Sequence, residues 1–188
     1  MVQNELLFDI LEILRKEQNH IRAIAERLGT NHISVMRALK VLYKDNMVDY
    51  KTEGKNKVYC IRDTLIARRK IISLEHHKFE KLIKKYPYLS PLISDVLTIT
   101  NSKIMILFGS YAKFRANKDS DIDIFIETQD RELRKKAAEI DSRISVKIGK
   151  FDKSSTLCKE IIKDHIILRG IEEFYEKHKV FEEVAFGK

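Results

Sequence analysis

The sequence predicts an α+β protein of two domains joined by a long helix. Three observations predict it. In residues 5–61, apolar side chains recur three times at helical spacing, and two alternating runs then flank a Gly-containing turn. Residues 64–86 are charged and free of Gly and Pro, and Pro87 and Pro91 follow. From residue 104 onward, short apolar runs alternate with helical segments, which describes strands covered by helices on one side. The boundaries are expected at 1–63, 64–86 and 87–188.

Composition narrows the class. The 188 residues are 44% hydrophobic and 34% charged, as expected of a folded, soluble chain. No apolar run approaches the roughly 20 residues that span a bilayer, so no membrane partner is expected. Met1 to Glu5 lack a basic stretch ahead of an apolar core, which predicts no signal peptide and a cytoplasmic protein. Cys60 and Cys158 stand far apart and read as reduced thiols. A formal charge of +8 favours a polyanionic partner.

In the first domain, Leu7, Ile10, Leu11 and Leu14 give residues 5–16 one apolar face. Gln18, Asn19 and His20 break that pattern. Ile21, Ile24, Ala25 and Leu28 mark a second helix, with Gly29 where a left-handed cap is wanted. Asn31 is placed to cap a third helix, in which Val35, Leu39 and Leu42 face inward. His32, Ser34, Arg37 and Lys40 are left on its outer faces. Residues 47–52 and 57–61 then form a β-hairpin around the Glu53-Gly54-Lys55-Asn56 turn.

Residues 5–61 resemble the winged helix-turn-helix domains of bacterial and archaeal transcription regulators. The resemblance rests on Ile24-Ala25-Glu26-Arg27-Leu28-Gly29, on Leu39-Lys40-Val41-Leu42, and on Val58-Tyr59. Asn46 replaces the Gly frequent after the third helix, and Asn tolerates the left-handed conformation needed there. The resemblance implies transcription regulation with duplex DNA as partner. The third helix would then enter the major groove, Arg37 would donate to guanine, and Lys40, Lys51, Lys55 and Lys57 would neutralise phosphates. A homodimer reading two half-sites is the matching expectation. A winged helix can also serve protein contacts alone, since fold does not fix function.

The stripe Leu65, Ile72 and Phe79, extended by Leu82 and Ile83, predicts a connecting helix over 64–86. His76 and His77 diverge on such a helix and read as a solvated pair. A short helix is expected over 90–97, followed by strands at 104–108 and 122–126. Next come a helix at 131–141, a strand at 145–148, a helix at 157–164, a short strand at 165–168 and a last helix at 171–177. Ser155 and Thr156 read as a helix start, His165 as a strand edge and Gly170 as a turn.

Residues 108–125 carry the chemistry. An apolar run arrives at Gly109-Ser110, a polar loop follows, and a second apolar run carries Asp121 and Asp123. Side chains alternate along a strand, so the two carboxylates share a face while Ile122, Ile124 and Ile126 enter a core. Carboxylates so close repel, and a divalent cation with hard oxygen ligands, Mg²⁺ or Mn²⁺, removes the repulsion. Gly109 lets a phosphate approach the backbone, and Ser110 adds a hydroxyl. The stretch reads as a site for a metal-bound nucleoside triphosphate.

Phe-Gly-Ser-Tyr-Ala at 108–112, with Ser-Asp-Ile-Asp-Ile at 120–124, resembles the nucleotidyltransferase superfamily that includes DNA polymerase beta. It is most similar to the small archaeal and bacterial minimal nucleotidyltransferases, from about residue 90 onward. The resemblance implies Asp121 and Asp123 as catalytic, metal-binding residues, Gly109 and Ser110 as NTP-binding residues, and a mixed sheet with flanking helices. It also implies a third carboxylate on the next strand. There the chain reads Val146-Lys147-Ile148, with Lys147 in the expected place of the acid. Lys147 would then contact the triphosphate, or another acid such as Asp141 or Asp152 would enter. Lys113-Phe114 also replaces the common Arg-Gly.

Two functions follow. In one, a winged-helix regulator binds NTP and Mg²⁺ in its second domain and changes its DNA affinity accordingly. In the other, a working nucleotidyltransferase moves NMP from NTP to a protein or RNA acceptor; the resemblance adds a toxin-like protein partner. A scaffold that uses both domains only for protein contacts is the third reading.

Overall fold

The computed structural model describes residues 2–179. Met1 and residues 180–188, which the expected domain boundaries include, lie outside the described residues. α1 spans Val2–Lys16, and its apolar face buries Ile10, Leu11 and Leu14. The break at 18–20 contains a short strand: β1 (Asn19–His20) sets Asn19 opposite Tyr59 and His20 opposite Val58, antiparallel. The strand covers what would otherwise be an open sheet edge. His20 Nδ1 also accepts from the Ala23 N–H at 3.1 Å and caps α2 (Ile21–Arg27). Asn31 caps α3 (His32–Lys44) by accepting from the Ser34 N–H at 2.8 Å.

The hairpin is β2 (Val48–Glu53) with β3 (Asn56–Ile61), giving a sheet of order β1-β3-β2. Asn46 takes the left-handed conformation expected of it, with φ of 60°. Ile24, Val35, Leu39, Leu42 and Val48 close a core beneath the sheet. α4 (Leu65–Lys85) follows, and the chain divides into two compact units inside it, one reaching Leu74 and the next spanning Glu75–His178.

The second unit adds α5 (Leu89–Thr98), β4 (Met105–Leu107), α6 (Gly109–Ala112), β5 (Ile122–Glu127) and α7 (Leu133–Ile140). β6 (Ile144–Gly149), α8 (Thr156–Lys163), β7 (Ile166–Arg169) and α9 (Ile171–Lys177) complete it. The sheet order is β6-β5-β4-β7; β5 and β6 are parallel, and the other pairs are antiparallel. Ile122, Ile124 and Ile126 point into one core with Met105, Leu107, Ile93 and Ala137.

The opposite sheet face is also covered, which corrects the expectation of helices on one side. Ile106 and Phe125 are paired, buried and apolar on that face, so it too must leave water. Phe125 packs on Phe151 at 5.6 Å between ring centroids, and Phe151 packs on Phe174 of α9 at 5.2 Å. His165, expected at a strand edge, is buried: Nδ1 lies 2.6 Å from the Ile161 carbonyl and Nε2 lies 3.3 Å from Glu75. Glu75 is fully buried and gathers Lys78 at 2.9 Å and the Tyr175 hydroxyl at 2.8 Å. Among the described residues, no helix is long and apolar enough to cross a membrane.

Candidate functional site

β4 ends at Leu107 and the backbone turns at once into α6, so the expected polar loop begins as one helical turn. The Phe108 N–H still reaches the Asp123 carbonyl at 2.9 Å, which ties the turn to β5. Gly109 has φ of 72°. A Cβ on it would lie 2.5 Å from Asp123 Oδ2. No other residue fits there without displacing the carboxylate. The bare backbone of the Gly-Ser turn thus lies directly against Asp123.

Asp121 is exposed just before β5, and Asp123 is half-buried within it. Burial holds the Asp123 carboxyl above its ordinary range; a hydrogen bond with the Ser145 side chain pulls it down, and the charges of Asp121 and Glu160 push it up. The Lys147 charge opposes them. The parallel register pairs Asp123 with Ser145 and Phe125 with Lys147. The side chain beside Asp123 is therefore the Ser145 hydroxyl. The exposed Lys147 stands two residues further along β6, on the same face.

Two residues enter that sequence reasoning did not assign. Ser145 lies on a strand that apolar spacing predicts, but which residue of β6 faces Asp123 depends on register, and sequence carries no signal for it. Glu160 comes from the middle of α8, and its Oε1 takes an ion pair from Lys113 Nζ at 2.6 Å. Asp141 and Asp152 are engaged elsewhere. Asp141 is held by Arg143 at 2.7 Å, which pulls its carboxyl down to about 2. The Asp152 carboxylate accepts from the Ser154 N–H and hydroxyl.

The loop over 113–120 is pinned through its carbonyls. Lys85 Nζ donates to Phe114 O at 2.6 Å, Tyr86 and Tyr111 reach Ala116 O and Asn117 O at 3.4 Å, and Arg143 reaches Lys118 O at 3.2 Å. Phe114 takes φ of 55° within it, a left-handed conformation that favours glycine. These contacts fix where Asp121 emerges.

Two carboxylates with hydroxyl neighbours are a hard-oxygen donor set that suits Mg²⁺. Among the described residues, no group of three or more His, Cys, Asp or Glu side chains gathers to hold a metal ion. Phosphate oxygens and waters would have to complete the shell, which is how Mg²⁺ is ordinarily bound.

In the first unit, His32, Arg37 and Lys40 are exposed on α3, and Ser34 is half-exposed beside the cap. Lys55 is exposed at the hairpin tip. Lys57 is exposed too, but its ammonium lies 3.9 Å from the Tyr50 ring centroid, and Lys51 pairs with Glu53 at 2.8 Å. Ile33 and Met36 stand on α3 at 45% and 49% exposure among these polar residues.

Residues 93–173 match the family model described as Polymerase beta, Nucleotidyltransferase. No curated protein matches the chain. Among solved structures, one titled "Crystal structure of the toxin-antitoxin with AMP-PNP" is 24% identical, with a TM-score of 0.35. The match covers 57% of this chain and 84% of that one.

Proposed function

We propose that this chain grips one Mg²⁺-bound nucleoside triphosphate in its nucleotidyltransferase-like domain and couples it to a winged-helix module that binds duplex DNA in transcription regulation. The contact of Gly109 with the Asp123 carboxylate carries the nucleotide half. It leaves backbone N–H groups and a carboxylate pair on one small surface, which a phosphate chain and its cation would share. The order helix, strand, helix, helix, hairpin in residues 2–61 supports the DNA half. So do the exposed Arg37, Lys40 and Lys55. A homodimer would let the module read two half-sites.

Each residue has a role in this reading. Asp121 and Asp123 hold the cation, which when bound neutralises phosphate charge and orients the triphosphate. Gly109 and Ser110 donate to phosphate oxygens. Lys147 supplies a positive charge from β6 without occupying the place beside Asp123. That place holds Ser145, a neutral hydroxyl, so the strand provides no third carboxylate to deprotonate an acceptor. Binding without rapid transfer is the consequence.

The second reading is transfer of NMP to a protein or RNA acceptor. The Glu160 charge felt at Asp123 favours it, because a carboxylate from α8 could serve where β6 has none. One experiment separates the two. The protein is incubated with labelled ATP, CTP, GTP or UTP, Mg²⁺ or Mn²⁺, and cell extract, and binding is followed by calorimetry. Calorimetric binding with no macromolecular label supports the sensor. Label lost in Asp121→Ala and Asp123→Ala selects the enzyme. Absence of any nucleotide binding removes the nucleotide half of the proposal.

A further inference from the structure

We infer that α3 reads thymine methyl groups through Ile33 and Met36. The inference rests on the DNA-binding reading above and adds a class of target: A·T base pairs read in the major groove.

Val35, Ala38, Leu39 and Leu42 face the core, which fixes the rotation of α3. At about 100° per residue, Ile33, Met36, Arg37, Lys40 and Lys44 then lie on the opposite side. Two large apolar side chains on that side, at 45% and 49% exposure, stand one helical turn apart. Their surroundings indicate what covers them. Residues 28–44 contain no carboxylate, and Arg37, Lys40 and Lys44 supply three positive charges beside the apolar pair. An apolar partner helix would bring no anion to these cations, whereas a duplex brings phosphates on both sides of its groove. In that groove the one apolar group on a base edge is the thymine C5-methyl. Met adapts its shape to such a group, and Ile presents a fixed surface.

The test uses the full chain and three 30-base-pair duplexes: alternating dA·dT, alternating dA·dU and alternating dG·dC. Uracil differs from thymine only in lacking the methyl. Binding is read by fluorescence anisotropy at fixed salt. The expected result is tighter binding to dA·dT than to dA·dU, by about fourfold in Kd for each methyl buried. In Ile33→Ser/Met36→Ser that preference collapses toward unity while dA·dU binding persists. Replacing cytosine by 5-methylcytosine in the dG·dC duplex restores a methyl at the same groove position and tightens binding to the wild type only. Circular dichroism checks that the exposed substitutions leave the fold intact.

Equal wild-type affinity for dA·dT and dA·dU overturns the inference and leaves DNA binding standing. Equal loss on both duplexes in the double variant overturns it as well. Unchanged DNA binding with a shift from oligomer to monomer in sedimentation would assign Ile33 and Met36 to a protein interface and overturn it too. Failure to bind any duplex overturns the DNA-binding reading itself.

Discussion

Burial holds the Asp123 carboxyl above its ordinary range, and Asp121 and Glu160 reinforce the shift. The folded protein therefore keeps this proton to a higher pH than the unfolded chain does. The stability it contributes is present below the unfolded value of 3.8 and is lost as pH rises through the raised folded value. Asp123→Asn is expected to raise the urea midpoint at pH 7, with the gain shrinking as pH falls toward 3.8, and to abolish Mg²⁺–ATP binding by calorimetry. A lower midpoint at pH 7 would show that the ionised carboxylate stabilises the empty site. Phe114 holds a positive φ that costs a side-chain-bearing residue about 1–2 kcal/mol. Gly removes that cost and Ala does not. Phe114→Gly should therefore melt no lower than Phe114→Ala, the reverse of the usual Gly–Ala order. A clearly lower melting temperature for the Gly variant would contradict a backbone penalty at this loop.

At the scale of elements, the candidate site is made where β4, α6, β5 and β6 meet. The turn into α6 faces β5 because the Phe108 N–H bonds to the Asp123 carbonyl. The register of β6 then decides that a hydroxyl lies beside the acid. Strand and helix positions were legible from apolar spacing. The second buried sheet face was less so, since Ile106 and Phe125 alternate with residues that are themselves apolar. Sequence alone gives no sign that Glu75 collects Lys78, His165 and Tyr175, because Tyr175 is a hundred residues away and Glu75 reads as one acid on a charged helix. Removing the carboxylate takes an ion pair from the buried Lys78 and a hydrogen-bond acceptor from the buried Tyr175. Glu75→Ala is expected to cost about 3–5 kcal/mol of unfolding free energy in urea. A loss under about 1 kcal/mol would show that the cluster relaxes into water.

Across the whole molecule, the +8 formal charge gives a long-range preference for polyanions, while the candidate site concentrates acids around Asp121 and Asp123. The two proposed ligands therefore call on charges of opposite sign, in separate units. Lys40→Glu/Lys55→Glu should weaken duplex binding and flatten its dependence on log salt by about 2 contacts' worth of slope. Calorimetric ATP binding should stay unchanged in the same variant. An unaltered salt slope would take α3 and the hairpin tip out of the DNA contact.

Sequence by itself determined the elements apart from β1 and α6, together with the Gly-Ser turn and the acid pair. These follow from local spacing and from residue types that only certain backbone conformations accept. Folding in three dimensions decided which side chains share a surface: Ser145 rather than Lys147 beside Asp123, Glu160 against Lys113, and Glu75 inside a polar cluster. Strand register and helix rotation set those meetings. Both are fixed by packing between segments distant in the chain, where no local pattern reaches.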